Sequence, residues 1–177
     1  MELLRTVDAM QAQADAARAE GQTLALVPTL GALHEGHLAL VRRALTEADH
    51  VTVSVFVNPT QFGPGEDYDD YPRDLEGDRE TLEALDVDAM FAPSVEEMYP
   101  YADDEALPGP LAWVDVERLD EHLCCAYREG HFRWVTTVVT KPFHACTPAV
   151  AVFGCKDAKP YSIRQRLVAD LRFDIEI

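Results

Sequence analysis

The run HVTVSVFVNP at 50–59 constrains the fold more than any other stretch of the chain. It is β-branched and largely apolar, and Asn58-Pro59 stops it. A near-continuous apolar strand is the mark of a sheet covered on both faces, not of one open to water. Further runs of this kind follow the same logic. TLALVPT at 23–29 reads as a short buried strand broken by Pro28, VDAMFAPS at 87–94 as a strand and turn, and AVAVFG at 149–154 as another strand. FDIEI at 173–177 is predicted as a last strand.

Amphipathic segments separate these runs. Helical spacing predicts a helix over 3–18, ending before Gly21 as a C-cap, and a second from His34 to Thr46 on Leu38, Val41 and Leu45. RDLEGDRETLEAL, GHFRWVTTVVTKPFHAC and KDAKPYSIRQRLVADL complete the set, with Pro142 expected to kink or end its helix. Residues 99–109, rich in proline and acid, read as loop. Strands alternating with helices predict a Rossmann-like α/β fold: a parallel sheet with helices on both faces, joined by right-handed crossovers. With 177 residues, 47% of them hydrophobic, one domain over 1–177 can bury a sizeable core.

The formal net charge of −17 argues against nucleic acid as a partner, because an acidic surface repels phosphate backbones. No run reaches the roughly 18 apolar residues of a membrane span, and no apolar secretory core opens the chain, so a cytoplasmic protein is expected. Four cysteines, Cys124, Cys125, Cys146 and Cys155, show no disulfide spacing. His122, Cys124, Cys125 and His131 fit no common zinc pattern, and reduced structural cysteines are expected.

In an open parallel sheet, ligands gather beyond the carboxyl ends of the strands. Four groupings fall there. In TLGALHEGH, His34 and His37 stand where a helix begins, near unpaired amides that favour an anion, and Gly31 and Gly36 admit a phosphate close to the backbone. NPTQFGPGEDYDDYPRD, after the strongest strand, offers Asn58 and Gln61 to orient a small polar substrate, with Tyr71 and Arg73 to close over it. FGCKDAKP places Lys156 and Asp157 at a strand end, where they suit nucleotide or an ordinary N-cap equally. REGHFRWVTTVVTK carries Arg128, His131 and Lys141, which also suit a plain helix start with a solvated charge.

Taken in order, VPTLGALHEGHLALVRRA, VSVFVNPTQFGPGEDYDDYPRDLEGD, FAPSVEEMYP, REGHF, TTVVTK and FG-x-KDA resemble the pantothenate synthetases, the pantoate–β-alanine ligase family. The likeness covers essentially the whole chain. The His-x-Gly-His element alone is shared with a wider nucleotidyl-transferring superfamily. The resemblance implies ATP-dependent condensation of (R)-pantoate with β-alanine through pantoyl adenylate, with Mg2+ accompanying ATP and a homodimer as the assembly. It implies that His34 and His37 act in catalysis, His37 as proton donor. Leu30, Gly31, Ala32, Leu33, His34, Glu35, Gly36 and His37 would lie along ATP, with Gly154, Cys155, Lys156 and Asp157 also on the nucleotide. Gln61 would hold pantoate and then β-alanine, in a pocket shaped by Asn58 and Tyr71.

Departures from that pattern sharpen the expectations. Leu30 stands where the family usually has methionine, Cys155 for glutamate, Trp134 for glycine, and Lys159 and Pro160 for two glutamines. The second of those glutamines helps bind pantoate, and proline cannot replace its amide. The family's C-terminal lid domain, with its Ser-Ser-Arg element, is expected to be absent from this chain. An alternative reading is therefore a catalytically impaired nucleotide-binding fragment of the same fold. A third, a nucleotidyltransferase or tRNA-synthetase-like domain sharing only the histidine motif, is opposed by the charge and by NPTQF.

Overall fold

Pro28 decides where the sheet opens. The computed structural model describes residues 1–62, 68, 70–100, 110–116, 131–154 and 158–177. Its strands β1 (Glu2–Leu4), β2 (Leu24–Thr29), β3 (His50–Val55), β4 (Ala89–Phe91) and β5 (Val150–Ala151) form one parallel sheet in the order β1-β4-β3-β2-β5. Contrary to expectation, Pro28 does not break β2, which pairs with β3 through Thr29. Even-numbered residues of β2 face β5: Leu26 accepts from the Val152 N–H at 2.9 Å. The next bond of that ladder needs an N–H from position 28, which proline lacks. Pairing to β5 stops there, while pairing to β3 continues.

Alternation along the strands sorts side chains to two faces. Leu24, Leu26, Ala89 and Phe91 pack with Met10, Phe143 and Leu167. This face is covered by α1 (Val7–Ala19), α5 (His131–Cys146) and α6 (Ala158–Leu171). Ala25, Val27, Val51, Val53 and Met90 turn the other way, toward Val41, Ala44 and Leu82. Those belong to α2 (Glu35–Glu47) and α3 (Leu75–Glu83). The Rossmann-like α/β architecture is as the alternating pattern implies.

Several boundaries differ from the sequence reading. The first helix does not begin at residue 3: residues 2–4 form an edge strand on β4, and Thr6 caps α1 by accepting from the Ala9 N–H at 3.2 Å. Three residues are too few for a period to register, so only their distant partner reveals them. The predicted end is right: Gly21 has φ +78°, and the Gly21 and Gln22 N–H groups bond Arg18 and Ala17 carbonyls, a glycine-based cap. Pro142 does not end α5, which runs on to Cys146. FDIEI makes only a single bridge, Val150 to Glu176, while Phe173, Ile175 and Ile177 pack on the core. A short helix, α4 (Val95–Met98), for which the sequence reading made no assignment, follows the Ser94 cap. From 101 on, the predicted loop lies outside the described residues. Among the described residues, no helix is long and apolar enough to cross a membrane.

The chain steps from β2 to β3 to β4 in one direction, then returns to place β5 on the far side of β2. The reversal between β2 and β5 is the crevice where such sheets bind ligands. Core packing beneath it is tight at Leu26, which is fully buried. Leu26→Ala should lower stability by about 2–5 kcal/mol through lost burial and a cavity, read as a shifted urea midpoint with an unchanged slope.

Candidate functional site

The turn leaving β2 is built from Gly31 at φ +83° and Ala32 at φ +50°, two successive left-handed residues. Glycine is needed at 31 on two counts. A Cβ there would lie 2.9 Å from Val55 Cγ1 and 3.0 Å from Asp78 Oδ2, and the backbone angle is one that L side chains rarely adopt. Asp78, buried on α3, accepts from the Ala32 N–H at 2.9 Å through Oδ2 and from the Leu33 N–H at 2.7 Å through Oδ1. Thr29 adds a third clasp: its hydroxyl accepts from the Gly31 N–H at 3.1 Å and donates to the Ser54 carbonyl at 2.9 Å.

This clasped turn delivers His34 as the N-cap of α2, its Nδ1 accepting from the Gly36 N–H at 3.1 Å. With Nδ1 accepting, the neutral ring carries its proton on Nε2. The ring leans over Gly36, where a Cβ would stand 2.8 Å from His34 Cε1. His37, one turn on, stacks on His34 with centroids 4.0 Å apart. Burial first, and then the His34 charge, hold the His37 pKa below its ordinary value of 6.5, while Asp78 pulls it back up. Both rings stand next to the amide end of a 13-residue helix, where unpaired N–H groups and the helix dipole favour an anion.

Beside them, at the switch point, lies a cavity of about 340 Å³. Val135, Val138, Val139 and Pro142 of α5, at helical spacing, form one wall. Pro142 has no N–H to return to the Val138 carbonyl, so an acceptor is released where the helix lines the cavity. Leu30, Phe56 and Phe91 make the rest of the lining largely apolar, and His37, Thr29, Ser54 and Arg164 supply its polar groups. A second cavity, about 250 Å³, lies across Leu30 and Gly31 and is lined by Arg5, Arg73, Asp74 and Asp78.

Other predicted site residues are placed differently from the pair of histidines. Asn58 is fully buried; its Oδ1 accepts from the Thr60 N–H at 3.3 Å, the Thr60 hydroxyl at 2.9 Å and the Tyr99 hydroxyl at 3.0 Å. It thus anchors the 3-10 turn Pro59–Gln61 and so positions the main chain of Gln61. Lys141, for which the sequence leaves a functional role and a solvated charge equally open, donates to the Met98 carbonyl at 2.7 Å and lies 4.6 Å over the Tyr99 ring. Burial lowers its pKa. Tyr71 sits edge-on to Phe62, and Arg73 lies over Tyr68 and donates to its carbonyl at 2.7 Å; Tyr71 lines neither cavity. Trp134 turns to Trp113, centroids 4.2 Å apart, rather than into the crevice. Gly154 follows β5, at the carboxyl end of the sheet.

Cys155, Lys156 and Asp157 lie outside the described residues, as do Cys124, Cys125, His122 and Arg128. Burial pushes the Cys146 thiol up to about 12, so that cysteine is inert. Sequence reasoning missed Asp78 and Arg164. Each shares a helical stripe with buried leucine: Asp78 lies four before Leu82 and Arg164 three before Leu167. A charge set into an apolar stripe was the available signal.

Comparison with known proteins bears on what this crevice is for. The family model described as pantoate-beta-alanine ligase matches residues 2–177. This chain belongs to the pantoate–β-alanine ligase family. A pantothenate synthetase from Salinibacter ruber is 93% identical over all 177 residues, which are 60% of that protein. The crystal structure of pantoate-beta-alanine ligase (pantothenate synthetase) from Thermus thermophilus superposes with a TM-score of 0.87 at 46% identity, covering 99% of this chain and 60% of that one. The Francisella tularensis pantoate-beta-alanine ligase, solved in complex with beta-gamma ATP and β-alanine, gives a TM-score of 0.89 at 34% identity, over 100% and 65%. The chain therefore spans about 60% of the length of the relatives it matches.

Two outcomes test the geometry of this ligase-family turn. Asp78→Asn replaces one acceptor with a donor facing an N–H, and should cost about 1–3 kcal/mol in urea unfolding. His37 has a lowered folded pKa, so the unfolded chain takes up that proton first as pH falls. Stability should therefore be full above the ordinary value of 6.5 and decline in the window below it. Replacing His37 by Asn should remove that share of the acid decline, seen by comparing urea midpoints from about pH 7.5 to about pH 5.

Proposed function

We propose that this chain is the ATP- and pantoate-binding, Rossmann-like domain of a pantoate–β-alanine ligase. In the reaction, a pantoate carboxylate oxygen attacks the α-phosphorus of ATP and the bond to the β-phosphate bridge breaks, releasing pyrophosphate. The β-alanine amine then attacks the acyl carbon of pantoyl adenylate, AMP leaves, and the amine loses a proton. The observation that carries this reading is the stacked His34–His37 pair at the start of α2, opening onto the switch-point cavity.

Each residue has a chemical role in this reading. His34 offers Nε2–H to phosphate oxygens, and the exposed amides of the first helical turn add further donors. His37, neutral at pH 7 because burial lowers its pKa, donates a hydrogen bond in the ground state and gains positive character as charge builds on the leaving pyrophosphate. Phosphoryl chemistry of this loose kind depends on positioning and charge, which the Asp78 clasp supplies by holding Ala32 and Leu33. Leu30, Gly31, Glu35 and Gly36 lie along the nucleotide in this reading, and Gly154, Cys155, Lys156 and Asp157 are assigned to it by family resemblance. Gln61, held by the Asn58-anchored turn, contacts pantoate and then β-alanine, with Tyr71 at the rim. Magnesium enters with the substrate as MgATP and neutralises phosphate charge; among the described residues, no three His, Cys, Asp or Glu side chains converge on one point. A homodimer in the cytoplasm is the assembly and compartment that family usage suggests.

A catalytically silent nucleotide-binding module is the second reading, favoured by Pro160, whose ring carries no donor for pantoate. Titration calorimetry with ATP, then pantoate, followed by an assay for AMP on adding β-alanine, separates the two. Binding of both with AMP release supports the ligase; ATP binding alone supports the module. His37→Ala should abolish pyrophosphate exchange into ATP while changing unfolding stability by no more than about 1 kcal/mol. A larger loss of stability would make the ring a packing residue and remove its catalytic assignment.

A further inference from the structure

Two kinds of hydrogen bond hold the turn after Asn58, and they fix different things. The Thr60 N–H and hydroxyl reach Asn58 Oδ1 at 3.3 and 2.9 Å, and the Phe62 N–H closes the same turn on the Pro59 carbonyl at 3.2 Å. Such local bonds set the shape of a turn but not its place on the sheet. Placement needs a partner from elsewhere. Among the described residues Oδ1 has one, the Tyr99 hydroxyl, 41 positions along the chain and 3.0 Å away.

Tyr99 is itself held from several sides. It is 5% exposed, its N–H bonds the Val95 carbonyl at 2.7 Å at the end of α4, and the Lys141 ammonium lies 4.6 Å over its ring. Lys141 also donates to the Met98 carbonyl at 2.7 Å, so it straps α4 and the ring to α5. On that same helix Val135, Val138, Val139 and Pro142 wall the switch-point cavity. A phenylalanine at 99 would fill the same space, and a methionine at 141 would cover the same ring. Packing alone therefore requires neither the hydroxyl nor the ammonium.

We infer that Tyr99 is a positioning residue for the acid substrate: its hydroxyl, steadied by Lys141, fixes the Asn58 turn in place and so sets where the main chain of Gln61 stands relative to the α5 wall. Neither Tyr99 nor Lys141 lines either described cavity, so their effect on a ligand passes through the turn. The inference rests on the ligase reading above, in which Gln61 meets pantoate, and adds the two residues that place it.

Calorimetry on the whole chain with pantoate and with ATP tests it. Tyr99→Phe keeps the ring and removes the hydroxyl; it should weaken pantoate binding roughly three- to tenfold and leave ATP affinity within about twofold. Lys141→Met should move pantoate affinity in the same direction, and Lys141→Arg, which keeps a cation over the ring, should retain most of it. In a Gln61→Ala background Tyr99→Phe should make no further difference. A residue that merely stabilises the fold would cost the same with or without the glutamine. If Gln61→Ala binds pantoate too weakly to titrate, amide exchange at Phe62 decides: it should run faster by about fivefold or more in Tyr99→Phe, with β3 amides unchanged. If Tyr99→Phe lacks a cooperative thermal transition, Lys141→Met carries the same expectations. Unchanged pantoate affinity, an equal loss for ATP, an equal loss in the Gln61→Ala background, or an unchanged Phe62 rate where that decides, overturns the assignment and leaves the ligase reading intact. Wild type that binds no pantoate overturns the ligase reading and this inference together.

Discussion

Asp78 holds two amides of a turn that would not otherwise keep its shape. Gly31 and Ala32 both adopt left-handed backbone angles, and alanine does so at a cost of order 1 kcal/mol. The two short hydrogen bonds from Ala32 and Leu33 to one buried carboxylate offset that cost and satisfy N–H groups that no strand or helix ladder reaches. Because α2 starts directly after this turn, the carboxylate sets the position of both imidazoles. It also tunes His37, since its charge opposes the burial that lowers that pKa. One side chain on α3 thereby governs geometry and electrostatics on α2.

The cavity beside the histidines exists for a related reason. Two prolines withhold donors at its edge: Pro28 ends pairing between β2 and β5, and Pro142 leaves a carbonyl of α5 without its helical partner. In a sheet interior or a helix interior such losses destabilise. At a switch point they keep two elements from closing on each other, and the opening is lined by their side chains. Its polar groups are few and placed at separate walls, which is the arrangement expected where an apolar substrate body must be held with a defined orientation.

Much of this was legible residue by residue. The glycine turn, the histidine pair and the strand ending at Asn58-Pro59 each advertise themselves through local composition. The importance of Asn58 was legible, but its role was not. It reads as a group facing substrate, yet it faces inward to Tyr99 and Thr60 and holds the turn that carries Gln61. Lys141 and Trp134 likewise find partners, Tyr99 and Trp113, that are distant in the chain. Asp78 and Arg164 look like ordinary exposed charges of amphipathic helices until the helices are placed on the sheet.

By itself the sequence determined the strands β2, β3 and β4, the amphipathic helices and where α1 ends, because periodicity and capping act over a few residues. Only the tertiary structure decided the strand order, the edge strand of residues 2–4, the survival of β2 through Pro28 and the burial of Asp78 and Arg164. Those outcomes depend on parallel pairing and packing between segments tens of residues apart, where a side chain's surroundings are set by the partner element and not by its own neighbours in the chain.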